Sequence, residues 1–138
     1  MEMLKEHLLS GSKHYRHARL SLAKKDFLIA KSNAYKLLRN ATISEELITY
    51  LTLTHQNLAD LYTREGQTHY AESELRTLYQ QLNNEIKPEK HTPDELRTLE
   101  HAASNSYKLL QDYISKNGSY LRQHLPYKSR LPKVGSVA

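Results

Sequence analysis

Apolar residues recur at the three- and four-residue spacing of an α-helix along most of this chain of 138 residues. Glycine and proline, which interrupt helices, occur only four times each and are sparse within the periodic segments. No segment alternates apolar and polar residues as a half-buried strand does. The sequence therefore predicts an all-α protein, and its length suits one domain with a single core.

The first half of the chain predicts two long helices and the start of a third. The first is predicted from about Glu2 to Lys24, with Gly11 as a weak point where a break would fall. The second is predicted to begin at Asp26, whose carboxylate suits an N-cap. The segment "TISE", from Thr42 to Glu45, has the form of a capping box and predicts that the third helix begins there.

The second half predicts two more helices and a tail. The third helix is predicted to stop before Gly66, because glycine adopts the left-handed conformation of a helix end at little cost. The fourth runs from there to "KPEKHTP". The segment "TPDE", from Thr92 to Glu95, combines an N-cap, a proline at the first helical position and an acid at the third. It predicts a fifth helix, closed by Asn117 and Gly118. We expect a helical domain over residues 1–118 and a basic, largely flexible tail over residues 119–138.

An internal repeat connects the two halves. Ala18 and Ala30 are each followed, 41 positions later (59 − 18 and 71 − 30), by Ala59 and Ala71. Small residues allow two helix backbones to approach closely, so the repeat predicts two helical hairpins. Their turns are predicted near Lys25 and at Gly66.

Residues 55–78 resemble the tetratricopeptide repeat, a helical-hairpin family that stacks into solenoids and binds peptides or protein segments. The residues that carry the resemblance lie at the family's spacing and are Leu58, Ala59, Tyr62, Gly66, Ala71, Leu75 and Leu78. The resemblance implies a right-handed solenoid of five helices, in which two hairpins are followed by a C-terminal capping helix.

The same resemblance implies where a partner binds. It places five side chains on the groove-facing, concave surface of the helices: Tyr15, Arg19, Gln56, Asn57 and Asp60. The expected function is non-enzymatic protein binding by a small adaptor or chaperone-like module, whose partner is an unidentified protein or peptide. Because so short a solenoid leaves apolar end surfaces, we also expect a homodimer.

The formal net charge of +5 is concentrated in the tail. From Ser119 onward there is no acid, and the bases are Arg122, Lys128, Arg130 and Lys133. The alternative function is therefore contact between this tail and nucleic acid or another anionic surface. The helical domain is nearly neutral, and nucleic-acid binding is the less favoured interpretation.

Motifs typical of catalysis are missing from the sequence. There is no cysteine, no glycine-rich phosphate loop and no nucleophile elbow, so we predict neither an enzyme nor a cofactor. His7, His14 and His17 are spaced to share a helix face, which leaves metal binding open, although surface or boundary histidines are favoured. No apolar run is long enough to span a membrane, and a soluble cytoplasmic protein is expected.

Overall fold

The computed structural model describes residues 1–40 and 43–119. These residues form five α-helices and no strand, which confirms the predicted all-α class. The helices are α1 Glu2–Arg16, α2 Leu20–Asn40, α3 Glu45–Arg64, α4 Thr68–Glu85 and α5 Pro93–Asn117. Within the described ranges, none of these helices combines the length and the apolar character needed to cross a membrane.

The start of α5 was predicted correctly, whereas the start of α3 was not. Thr92 accepts a hydrogen bond from the Glu95 amide at 3.2 Å, and the Glu95 carboxylate accepts one from the Thr92 amide at 2.9 Å. The cap of α3 is Ser44, whose hydroxyl accepts from the Leu47 amide at 3.1 Å. The capping box predicted at Thr42 is therefore wrong, because Ser44 satisfies the free amide of the first turn. Thr42 itself lies outside the described residues.

The first interhelical turn lies earlier than predicted. Helix α1 ends at Arg16 and α2 begins at Leu20, so the prediction of one helix as far as Lys24 is wrong. Ala18 takes a left-handed conformation with φ of 59°, which ends α1 without the glycine that usually marks such a turn. Asp26 consequently lies inside α2 rather than at its N-cap.

Both hairpins turn by the same hydrogen-bond pattern. The Arg19 amide donates to the His14 carbonyl at 2.9 Å, and the Gln67 amide donates to the Tyr62 carbonyl at 2.8 Å. Each bond spans the left-handed residue of a Schellman motif, and in the second turn that residue is Gly66 with φ of 78°. The prediction that α3 stops before Gly66 is confirmed.

The turns show that the hairpins repeat every 48 residues (66 − 18), rather than every 41. In this register Gly11 and Ala23 correspond to Ala59 and Ala71, and all four are buried. Ala18 is exposed in its turn, so the predicted contact between Ala18 and Ala30 is wrong. The close contact between α1 and α2 lies instead at Gly11, which packs against Phe27 of α2. Helix α1 is unbroken at this glycine.

The two turns provide a matched pair of substitutions. Because alanine is strained at positive φ, we expect Gly66→Ala to lower the free energy of unfolding by about 1 kcal/mol. Ala18→Gly should raise it, by less than about 1 kcal/mol, because glycine relieves the strain but gains entropy in the unfolded chain. Chemical denaturation of the two variants measures both signs. Equal effects of one sign would contradict the assigned turns.

Each helix packs against the next one in the chain, and α3 also contacts both α1 and α5. Helix α3 is therefore central, and α1 and α5 lie on either side of it. The main hydrophobic core contains Phe27, which is fully buried, together with leucines from all five helices. Leu4, Leu51, Leu78 and Leu99 are among them.

A histidine–carboxylate pair recurs in both hairpins at the 48-residue register. His7 Nδ1 on α1 lies 2.8 Å from Asp26 Oδ1 on α2. His55 Nδ1 on α3 lies 2.9 Å from Glu74 Oε1 on α4. Each pair joins the first helix of a hairpin to its second helix, so the two hairpins share a polar contact as well as a turn.

The second pair extends into a polar network that connects the hairpins. His55 is fully buried, and its Nε2 lies 2.6 Å from the Tyr35 hydroxyl of α2. Lys31 of α2 donates to Glu74 at 2.9 Å. Burial acts to raise the pKa of Glu74, but the hydrogen bonds from His55 and Lys31 outweigh it and lower that pKa. Burial together with the nearby Glu74 charge raises the pKa of Tyr35.

Candidate functional site

An open groove runs between α3 and α5, and we call it the α3–α5 groove. It consists of two adjoining cavities of about 860 and 320 Å³, which share Gln56 as a lining residue. The α3 side is formed mainly by Glu45, Ile48, Thr49, Thr52, Leu53, Gln56, Asp60 and Thr63. The α5 side is formed mainly by Asp94, Arg97, Thr98, His101, Ala102, Asn105, Leu109, Asp112, Tyr113 and Lys116.

The α3 wall presents an apolar, an amide and an acidic side chain in succession. Leu53, Gln56 and Asp60 are three and then four residues apart, the spacing that places side chains on one helix face. Leu53 is 40% exposed, whereas the neighbouring apolar residues Ile48 and Ala102 are buried. This wall therefore offers an exposed apolar side chain above a closed apolar floor.

Free amide groups lie in the middle of the groove and beside it. Neither Gln56 nor Asn57 forms a side-chain hydrogen bond with another residue in the described ranges. On the opposite wall, Asn105 Nδ2 lies 3.3 Å from His101 Nε2. A carboxamide carries two donors and one acceptor group, so Gln56 can bond both the N–H and the C=O of an extended chain.

Four of the five predicted binding residues lie together, and the fifth does not. Tyr15, Asn57 and Asp60 line a small cavity of about 120 Å³ between α1 and α3. Gln56 and Asp60 line the α3–α5 groove, so Asp60 belongs to both. Arg19 lies exposed in the turn between α1 and α2; its predicted place on a helix face is wrong because α1 ends at Arg16.

Arg64 of α3 makes two contacts with Tyr15 of α1. The Arg64 guanidinium lies 5.1 Å from the centre of the Tyr15 ring, a distance at which a cation is attracted to an aromatic face. Arg64 Nη1 also donates to the Tyr15 carbonyl at 3.3 Å. These contacts fix the last turn of α1 against the end of α3, at the edge of the small cavity.

The acids of the groove differ in whether they have partners. Asp94 pairs with Arg97, and the Glu95 carboxylate accepts from the Ile43 and Thr92 amides. Asp60 forms no ion pair with another described residue, and the surrounding protein displaces enough water to raise its pKa although the side chain is exposed. The Asp60 charge is thus uncompensated.

The three histidines that could have shared a metal-binding helix face, His7, His14 and His17, do not lie together in the structure. His7 and His14 flank Asp26, which also accepts from the Ser10 hydroxyl at 2.6 Å, while His14 Nε2 is 3.9 Å away from that carboxylate. His17 is exposed in the first turn. Across residues 1–40 and 43–119, no group of three or more histidine, cysteine, aspartate or glutamate side chains could hold a metal ion.

The predicted tail contacts Arg122, Lys128, Arg130 and Lys133 lie outside the described residues. Contact between the tail and nucleic acid or another anionic surface therefore stays a prediction from the sequence.

Comparison with known proteins places the chain in a family. The model of the family DUF2753, described as a protein of unknown function, matches residues 4–125. The chain belongs to this family. No curated protein matches it, and no solved structure does. The matched range of this DUF2753 member includes both walls of the α3–α5 groove.

Two groove residues of this DUF2753 member were missed by the sequence analysis. Leu53 stands alone as an apolar residue on the polar side of α3, and that isolation was the available signal. Asn105 lies on α5, which was predicted only to cover the end of the solenoid. It is the packing of α5 beside α3 that brings Asn105 to the groove.

Proposed function

We propose that this protein is a non-enzymatic binding module, an adaptor or chaperone-like protein, whose α3–α5 groove holds a segment of a partner protein. The observation that carries the proposal is the open groove itself, with an exposed Leu53 and the unbonded carboxamide of Gln56 on one wall. Apolar side chains with a few well-placed hydrogen-bonding groups are typical of sites that recognise extended peptides.

The corrected register supports a tetratricopeptide-type arrangement. The family pattern includes a small residue on the first helix and alanine followed four positions later by phenylalanine on the second. Gly11, Ala23 and Phe27 fit this pattern in the first hairpin. Ala59 and Ala71 fit it in the second, where Leu75 stands in the place of the phenylalanine. We propose that the two hairpins and α5 form a short right-handed solenoid, with α5 as its cap.

The central position of α3 also supports this arrangement. In a solenoid of hairpins, the first helix of one hairpin lies beside the first helices of its neighbours, and α3 packs against both α1 and α5. In such a solenoid, the α3–α5 groove and the small cavity between α1 and α3 belong to one inner surface. Asp60, which lines both, lies where they meet.

Self-association and the cytoplasmic location stay predictions. The surface that favours a homodimer is on the first hairpin, where Met3, Leu9 and Leu22 are 55%, 73% and 48% exposed. Exposed apolar side chains of this kind favour contact with a second copy.

Selection from a phage-displayed library of random peptides on the full-length chain tests the proposed function. We expect binding peptides, and we expect Leu53→Arg to abolish their binding because a charged side chain would fill the apolar part of the groove. The control is Leu28→Arg, which makes the same change at a leucine of α2 that is 40% exposed, as Leu53 is. Circular dichroism verifies that both variants fold.

The control also defines the contrary results. A library that yields no binder would refute a peptide-binding groove. So would binders that Leu28→Arg removes and Leu53→Arg leaves unaffected, because the binding surface would then lie on the first hairpin.

A further inference from the structure

We propose that the occupant of the α3–α5 groove is an extended segment of a partner protein that carries an apolar side chain and, about three residues away, a lysine or arginine. This inference rests on the proposed function and specifies the chemistry of the partner. Leu53 would contact the apolar side chain, and Asp60 would bind the cation.

The spacing follows from the geometry of α3. Leu53 and Asp60 are seven positions apart on one helix face, which corresponds to roughly 10 Å along the helix axis. A segment in the extended polyproline II conformation rises about 3.1 Å per residue and has three residues per turn, so side chains three positions apart lie on the same side and about 9 Å apart. Gln56 lies between them, where its free carboxamide can bond the main chain of the segment and hold it extended.

The charge of the bound side chain follows from the ion pairs within the groove. Of its acids, Asp94 and Glu95 already have partners, Arg97 for the first and backbone amides for the second, whereas Glu45 at the far end forms no ion pair with a described residue. Asp60 and Asp112, which line the same cavity, form no ion pair within the described part of the chain. Among residues 1–40 and 43–119, the only base lining that cavity is Lys116, so the unpaired charges of Asp60 and Asp112 outnumber it and favour a cation.

The environment of Asp60 supports a cation over an anion or a neutral group. Desolvation raises the pKa of Asp60, and a lysine or arginine placed beside it would offset that cost. Burial is the main cause that raises the pKa of the neighbouring Tyr113, and the negative charge of Asp60 adds a small contribution in the same direction. An acidic peptide or a phosphate backbone would add a like charge to this end of the groove, which disfavours both.

The test is a charge exchange at Asp60 with the peptide library used above. Peptides selected on the unmodified chain should share a lysine or arginine three positions from an apolar residue. Selection on Asp60→Lys should replace that base by aspartate or glutamate at the same spacing. The control is Glu100→Lys, which makes the same change of net charge at an exposed residue of α5 outside the α3–α5 groove and should leave the preference for a base unchanged.

A single selected peptide makes the effect quantitative. Its affinity, measured by fluorescence anisotropy, should fall about threefold to tenfold in Asp60→Asn, the range for loss of one exposed or partly buried ion pair. Binders that lack the base, or that keep it on Asp60→Lys, would overturn this inference. If their binding is still abolished by Leu53→Arg, the proposed function stands without it. If no peptide binds, both proposals fail.

Discussion

Glu74→Ala should lower the free energy of unfolding by about 3 kcal/mol, since it removes the carboxylate at the centre of a largely buried network. The change leaves Nδ1 of the fully buried His55 without its acceptor and Lys31 without its ion pair. A buried polar group that loses its partner costs far more than a surface contact. Denaturation by urea, monitored by circular dichroism, measures the loss.

Two further variants show whether burial is the cause. Glu74→Gln keeps the shape and one acceptor oxygen, so its loss should be smaller, about 1 to 2 kcal/mol. Glu65→Ala breaks the pair between Lys24 and Glu65, whose atoms are 3.0 Å apart and whose side chains are 31% and 24% exposed. That loss should stay below about 1 kcal/mol. Equal losses in Glu65→Ala and Glu74→Ala would contradict a special role for the network.

The lowered pKa of Glu74 gives the same network a pH dependence. A carboxylate whose pKa is lower in the folded chain than its ordinary value of 4.5 stabilises the fold above that value. The contribution is lost as the pH falls below 4.5 and through the folded pKa. Unfolding measured at a series of pH values should therefore show a steeper loss on the acid side in the unmodified chain than in Glu74→Gln.

The sequence predicts those helix ends that carry a strong local signal. Thr92, Pro93 and Glu95 define the start of α5 by their own hydrogen bonds and backbone geometry, and Gly66 marks the turn after α3 by its positive φ. The first turn has no such signal, because Ala18 adopts the left-handed conformation that alanine normally avoids. Only the packed hairpin shows that its strain is tolerated.

The positions of the predicted site residues were right where the helix register was right. Gln56, Asn57 and Asp60 lie on α3, whose end at Gly66 was recognised, and all three line cavities beside it. The position predicted for Arg19 was wrong, because the turn was predicted too late in the chain and Arg19 was therefore placed within the first helix. The opposite wall of the groove, on α5, could not be predicted. Contact between helices that are distant in sequence depends on how the hairpins stack rather than on any local pattern.

Gly11→Leu should lower the free energy of unfolding by about 3 kcal/mol, because α1 and α2 have no room for a side chain there. A Cβ atom at Gly11 would lie 2.5 Å from Cε1 and 2.7 Å from Cδ1 of Phe27. The Phe27 ring is 1% exposed, so it can move away only by displacing other core residues. Thermal and urea denaturation measure the loss.

The sign of this change distinguishes the two registers of the first hairpin. If α1 and α2 were one helix with its close contact at Ala18, Gly11 would be an ordinary helix glycine, and leucine there would stabilise the fold by roughly 0.8 kcal/mol. Ser32→Leu, at an exposed position of α2, serves as the control and should change stability by less than about 0.5 kcal/mol. Gly11→Leu combined with Phe27→Ala should lower the free energy of unfolding by less than the sum of the two single changes, since the smaller side chain frees the space that leucine requires.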